Sequence, residues 1–211
     1  MKAILFDLDG TILDTRDVIL NSMQNAYIQV LGRETLPTDK ELLSLVGIPL
    51  KVQMGMLSAD KGDELYDAYL EHNKKVQDSM MKGFDGTAET LALLRERGLR
   101  LGIVTSKRHE AAQHGLEHMG LADYFELLLG ADDTVDHKPE PGPLLDAARL
   151  LGLDVKECAY VGDSPYDMRS ARSAGMFAIG AVWGMFTREV LLEAGAEVLL
   201  SHISELPGIL E

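Results

Sequence analysis

Four short stretches of this sequence place chemically capable side chains at, or a few residues beyond, the ends of apolar runs. They read Asp7-Leu8-Asp9-Gly10-Thr11, Thr105-Ser106-Lys107, His137-Lys138-Pro139 and Gly162-Asp163-Ser164-Pro165-Tyr166-Asp167. Together they offer carboxylates, adjacent hydroxyls and two lysines. Carboxylates gathered in one place repel each other and are costly to bury unless something pairs them. A hard divalent cation with oxygen ligands is the simplest neutraliser. Mg²⁺ suits such a set, because it takes one or two carboxylates, several waters and a phosphate oxygen. A lysine and a Thr or Ser hydroxyl suit the remaining oxygens of a phosphoryl group. The chemistry on offer is the handling of a phosphoryl group beside a metal ion.

Those stretches must be brought together by the elements that precede them. Short apolar runs at 3–8, 101–105, 126–130, 159–161, 177–182 and 197–200 are nearly continuous rather than alternating. Strands buried on both faces read this way. Amphipathic stretches at 87–97, 142–151 and 164–174 lie between them, and Gly98, Gly152 and Gly175 stop them. Alternation of this kind predicts an α/β fold: a Rossmann-like parallel sheet with helices on both faces. In such a sheet ligands bind beyond the carboxyl ends of the strands, which is where all four stretches fall.

One block breaks the alternation. From about residue 15 to 82 no strand is evident, and the pattern reads as helices near 17–31, 38–46, 49–57 and 63–81. It is too long for an ordinary crossover. We read 15–83 as an inserted α-helical cap domain and 1–14 plus 84–211 as the α/β core. The joints fall at 14–15 and 83–86, where Gly83 and Gly86 can act as a hinge.

This ordered set resembles the haloacid dehalogenase (HAD) superfamily, and the resemblance covers the whole chain. Asp7 to Thr11 matches its Asp-x-Asp-Gly-Thr motif. The run ending in Thr105 and Ser106 matches the second motif, Lys138-Pro139 the third, and Gly162, Asp163 and Asp167 the fourth. The helical insert resembles that superfamily's small cap. The resemblance implies a phosphatase that works through an aspartyl-phosphate. Asp7 would be the nucleophile, and Asp9 the general acid and then the base. Asp7, the main chain of Asp9, Asp163 and Asp167 would hold Mg²⁺. Gly10, Thr105, Ser106 and Lys138 would grip the phosphoryl group. Dehalogenases of the superfamily lack the second Asp, so Asp9 implies a leaving group that needs a proton.

The loop Val46-Gly47-Ile48-Pro49-Leu50 resembles the cap loop of phosphoglycolate phosphatases and related bacterial pyrophosphatases. That implies a small phosphorylated substrate, phosphoglycolate first and inorganic pyrophosphate as the alternative. Gly47, Arg16 and Lys51 are the candidate residues of the cap for reading it. A non-catalytic phosphate-binding protein is the alternative of a different class.

Charge and composition narrow the partners. The chain has 211 residues and a net charge of −14. Nucleic acid and anionic membranes draw their affinity from basic residues, so neither is expected as a partner. No apolar run approaches the length that spans a bilayer, and Asp7 cuts the first one too short for a signal peptide. A cytoplasmic location is expected, with monomer and homodimer both open. A lone cysteine, Cys158, leaves no internal disulfide. His109 and His114 are five apart and do not share a helix face, whereas His114 and His118 do. We expect those histidines on a solvated surface.

Overall fold

The computed structural model describes residues 1–209. A six-stranded, all-parallel sheet forms the core. Its strands are β1 (Ala3–Phe6), β4 (Arg100–Val104), β5 (Leu127–Leu129), β6 (Cys158–Gly162), β7 (Phe177–Ala181) and β8 (Val198–Leu200). Their spatial order is β5-β4-β1-β6-β7-β8. The order reverses around β1, the switch point at which open α/β sheets bind ligands.

Side chains alternate across the sheet, as the pleat requires. Ile4, Phe6, Ala159 and Val161 face one core, while Ala3, Leu5, Cys158 and Tyr160 face the other. Helices α5 (Thr87–Glu96) and α6 (His109–His118) cover the first face, and α7 (Gly142–Leu150), α8 (Pro165–Ala174) and α9 (Arg188–Ala194) the second. Burial on both faces is why the strands read as unbroken apolar runs. All six expected strands are present, with ends moved by a residue or two. The helix over Arg188–Ala194 was not read from the sequence.

The segment between the first two core strands holds α1 (Arg16–Leu31), α2 (Asp39–Leu43), α3 (Leu50–Leu57) and α4 (Gly62–Met80). It has its own apolar cluster, with Ile19, Met23 and Ala26 of α1 against Leu65, Ala68 and Tyr69 of α4. Thr38 opens α2 with a capping box: Glu41 N–H donates to the Thr38 side chain, and Thr38 N–H donates to Glu41. The helix expected at 38–46 ends early, because the chain turns into the loop carrying Gly47.

The sequence reading missed one element here. A two-stranded antiparallel ribbon, β2 (Leu13–Asp14) with β3 (Lys82–Gly83), joins the chain entering this segment to the chain leaving it. Strands of two residues are too short to leave a periodic signal. Nearby, Asp78 of α4 meets α6: His114 Nε2 lies 2.7 Å from its carboxylate and His118 Nε2 lies 3.1 Å from its carbonyl. The pair lies on the solvated surface, as expected, and there also links the two parts. Among the described residues no helix is long and apolar enough to cross a membrane.

Candidate active site

Strands β1, β4 and β6 are neighbours, so the residues following them converge. Asp7 follows β1, Thr105 follows β4 and Asp163 follows β6. Carboxylate oxygens of Asp7, Asp163 and Asp167 lie within 4.8 Å of one another, and all three residues are buried. Lys138 reaches in from the connection between β5 and α7. Its Nζ donates to Asp7 Oδ1 at 2.8 Å, to Asp167 Oδ1 at 2.6 Å and to the Tyr160 hydroxyl at 3.0 Å. The Tyr160 hydroxyl in turn donates to the Val104 carbonyl at 2.7 Å. Lys138 is thus fixed by three partners, and one of them, Tyr160, carried no sequence signal.

Local chemistry explains how the acids are aimed. Ser164 caps α8, and Asp167 stands at the third helical position. The Ser164 N–H and hydroxyl both donate to Asp167 Oδ2, which leaves Oδ1 for Lys138. Asp163 accepts from Met185 N–H at 2.6 Å and from the Thr11 hydroxyl at 3.4 Å. Gly10 has φ +83°, and a Cβ there would sit 2.3 Å from Asp163 Oδ2, so only glycine permits this approach. The N–H of Gly10 donates to Leu13 O and is spent inside the turn. The part expected of Gly10, turning the chain so that backbone N–H groups face a phosphate, therefore falls to its neighbours' N–H groups rather than its own. The N–H groups of Asp9 and Ser106 have no partner among the described residues.

The carboxylate of Asp9 lies apart from the cluster. It faces Lys107, whose Nζ is 2.9 and 3.0 Å from its two oxygens, and it accepts from the Thr15 hydroxyl at 2.8 Å. A ligand role for that carboxylate is therefore not favoured, which leaves its main chain. Lys107 was visible in the sequence but drew no role, since nothing local shows which acid it meets.

Charge and burial act on each other here. Burial pushes the Asp7 carboxyl up to about 7, with Asp167 and Asp9 adding to the rise and Lys138 opposing it. Burial, then Asp167 and Asp7, hold Asp163 well above the usual carboxylate range. Burial also works against the charge on Lys138, but Asp167 and Asp7 outweigh it and keep the ammonium firmly protonated. One lysine among three buried carboxylates leaves a deficit of positive charge. An all-oxygen donor set with that deficit fits a hard divalent cation.

Both carboxyls bind a proton more tightly folded than unfolded. Their stabilising contribution is complete below about pH 4 and is lost as pH rises, through about 7 for Asp7 and through the raised range of Asp163. In EDTA, Asp163→Asn is expected to melt above wild type at pH 8 by about 1–3 kcal/mol, and the gap should shrink by pH 5. A gap of equal size in melts at both values would contradict the charge deficit.

Over the cluster lies a cavity of about 370 Å³ between the sheet end and the helical segment. Asp7, Asp9, Ser106, Lys107, Gly47 and Gln53 are among its walls. The Ser106 hydroxyl donates to Gly47 O at 2.7 Å, tying the loop to the core. Gly47 has φ +110°, and a Cβ there would press within 2.8 Å of Ser164 Oγ and Tyr166. Lys51 lines the cavity, but its side chain is 72% exposed and pairs with Asp63. Arg16 is exposed on the first turn of α1 and lies outside the cavity wall, which corrects its assignment as a substrate reader. His137 lines the cavity, whereas Trp183 packs against the core outside its wall, with the indole donating to Thr11 O.

A family model described as haloacid dehalogenase-like hydrolase matches residues 4–181. The chain belongs to the haloacid dehalogenase-like hydrolases. Within them it is a hydrolase of phosphatase type. A HAD relative in Caldanaerobacter subterraneus subsp. tengcongensis, provisionally named pyrophosphatase PpaX, is 37% identical over 100% of this chain and 95% of its own length. Pyrophosphatase PpaX of Bacillus pumilus is 31% identical over 99% of this chain and 96% of its own. The HAD fold itself is matched by a crystal structure from Haemophilus somnus, titled as a phosphoglycolate phosphatase by prediction. It superposes with a TM-score of 0.90 at 22% identity, covering 100% of this chain and 98% of that one.

Proposed function

We propose that this chain is a Mg²⁺-dependent phosphatase that hydrolyses a small phosphate compound through a phosphoenzyme on Asp7. The convergence of Asp7, Asp163, Asp167 and Lys138 at the switch point of the sheet carries this reading. In it, residues 15–83 act as a cap over the core.

Asp7 Oδ1 is held by Lys138, so Oδ2 is the oxygen free to attack phosphorus. Asp9 protonates the departing oxygen and then takes a proton from the water that cleaves the phosphoenzyme. The Thr105 hydroxyl and the free N–H groups of Asp9 and Ser106 donate to the transferring oxygens, and Lys138, its three donors held by Asp7, Asp167 and Tyr160, adds positive charge beside them. The Ser106 hydroxyl is engaged with Gly47, so its part is to hold the loop down. Asp7, the main-chain carbonyl of Asp9 and Asp163 would hold Mg²⁺, with Asp167 close behind them. When bound, the ion supplies positive charge against the phosphoryl oxygens. Loop closure excludes water and strengthens every one of these contacts.

For the substrate, the sequence places phosphoglycolate first. The full-length relatives named pyrophosphatase support moving inorganic pyrophosphate ahead of it. Phosphate release from pyrophosphate, phosphoglycolate and p-nitrophenyl phosphate, ranked by kcat/KM, tests the choice. EDTA is expected to remove turnover and Mg²⁺ to restore it. Full activity in a metal-stripped preparation, or no release from any of the three, would refute the reading.

A further inference from the structure

We infer that Lys107 is a specificity-determining residue that reads a second anionic group on the leaving side of the substrate, and that it rests on Asp9 until such a group arrives. This deepens the proposed function and depends on it.

The observation is a mismatch between where Lys107 sits and what Asp9 must do. Lys107 Nζ covers both Asp9 oxygens, at 2.9 and 3.0 Å. With an ammonium spanning both oxygens and the Thr15 hydroxyl also on Oδ1, the face of Asp9 turned to the cavity is occupied by a cation, and a leaving oxygen gains that face when the lysine moves. The pair is also well shielded, with side chains 15% and 14% exposed, and both line the cavity. Shielding strengthens the attraction but makes an unpaired charge costly. Lys107 therefore leaves Asp9 readily only for another anion in the same place.

The other cations in the cavity wall and behind it do not fit that part. Lys138 is locked by Asp7, Asp167 and Tyr160. The Lys51 side chain is 72% exposed and pairs with Asp63, and that of Arg108 is 58% exposed and pairs with Asp132. Lys107 has a single carboxylate partner, and a lysine is a compact charge on a flexible stem. Asp9 is not abandoned when Lys107 leaves, because the Thr15 hydroxyl remains on Oδ1 at 2.8 Å. Exchange of one anion for another keeps the lysine paired throughout and frees one Asp9 oxygen toward the phosphate. A second phosphate and a carboxylate share the chemistry required. A neutral leaving group does not have it and leaves the lysine where it was.

The test compares ratios. In wild type, kcat/KM for pyrophosphate and for phosphoglycolate is divided by that for p-nitrophenyl phosphate. Lys107→Met is expected to lower both ratios about 10- to 100-fold, the worth of a charge-assisted contact. Lys107→Arg, which keeps the charge, should retain more of them than Lys107→Met. Which ratio falls further tells phosphate from carboxylate. Ratios in Lys107→Met within about threefold of wild type would overturn the inference.

Calorimetry at fixed free Mg²⁺ gives a readout without turnover. Wild type should bind methylenediphosphonate or 3-phosphonopropionate more tightly than methylphosphonate, and Lys107→Met should erase that preference. An equal loss for all three phosphonates would mean that Lys107 serves the phosphoryl group or Asp9 alone, and the inference would fall. If wild type releases phosphate from none of the three substrates, the proposed function fails, while the binding comparison still decides whether Lys107 reads a second anion.

Discussion

Asp7→Asn is expected to lower turnover by about 10⁴-fold or more, since no other group in the cluster can replace the attacking oxygen. The amide keeps the shape and keeps one oxygen for Lys138, so the sheet end should stay intact. It also removes one of the carboxylates that crowd the site, so the metal-free variant should be no less stable than wild type at pH 8. Phosphate release and thermal melts check the two halves together. Intact-mass analysis of acid-quenched turnover should show a phosphate adduct on wild type and none on the variant. Wild-type rates with Asp7→Asn would remove Asp7 from the reaction. A lost rate with a collapsed melting transition would show a structural defect instead.

Lys138→Met is expected to cost about 3–5 kcal/mol of stability at pH 8, the usual penalty for taking one partner from a buried ion pair. Lys138 is 3% exposed, and its removal leaves the buried carboxylates of Asp7 and Asp167 without their cation beside Asp163. The Tyr160 hydroxyl keeps its bond to Val104 and does not replace the lost charge. The carboxyls can take up protons when the pH falls, so the loss should be smaller at pH 5 than at pH 8. Mg²⁺ should recover part of it by supplying charge to the same oxygens. Denaturant melts at the two pH values, with and without Mg²⁺, measure this. A loss under about 1 kcal/mol at pH 8 would mean that water reaches the cluster and screens it.

Much of this arrangement could be read in the linear sequence, for definite reasons. A strand covered on both faces must be apolar throughout, so runs such as 3–8 and 159–161 stand out from the polar text around them. Residues leaving the carboxyl ends of adjacent strands must meet, so Asp7, Thr105 and Asp163 could be grouped before any distance was known. Pairing could not be read. Lys107 and Asp9 are 98 positions apart, and Lys138 and Tyr160 are 22 apart. No local pattern links such partners. Arg16 looked suited to the substrate because it is basic and near the first motif, but the first turn of α1 turns it outward to solvent. The ribbon of Leu13–Asp14 with Lys82–Gly83 is held by backbone pairing, which leaves no mark on residue type.

That ribbon has a consequence for how such a molecule can change over generations. Entry and exit of the helical segment lie side by side, at the separation of two paired strands. A segment of different length or make-up can be grafted between the same two points without displacing β1 or the carboxylates beyond it. Diversity in what is hydrolysed can then accumulate in the graft, while the apparatus that breaks the bond stays under separate selection. Exchanging residues 15–81 for the equivalent stretch of a relative should transfer preference and leave the core's own melting transition in place.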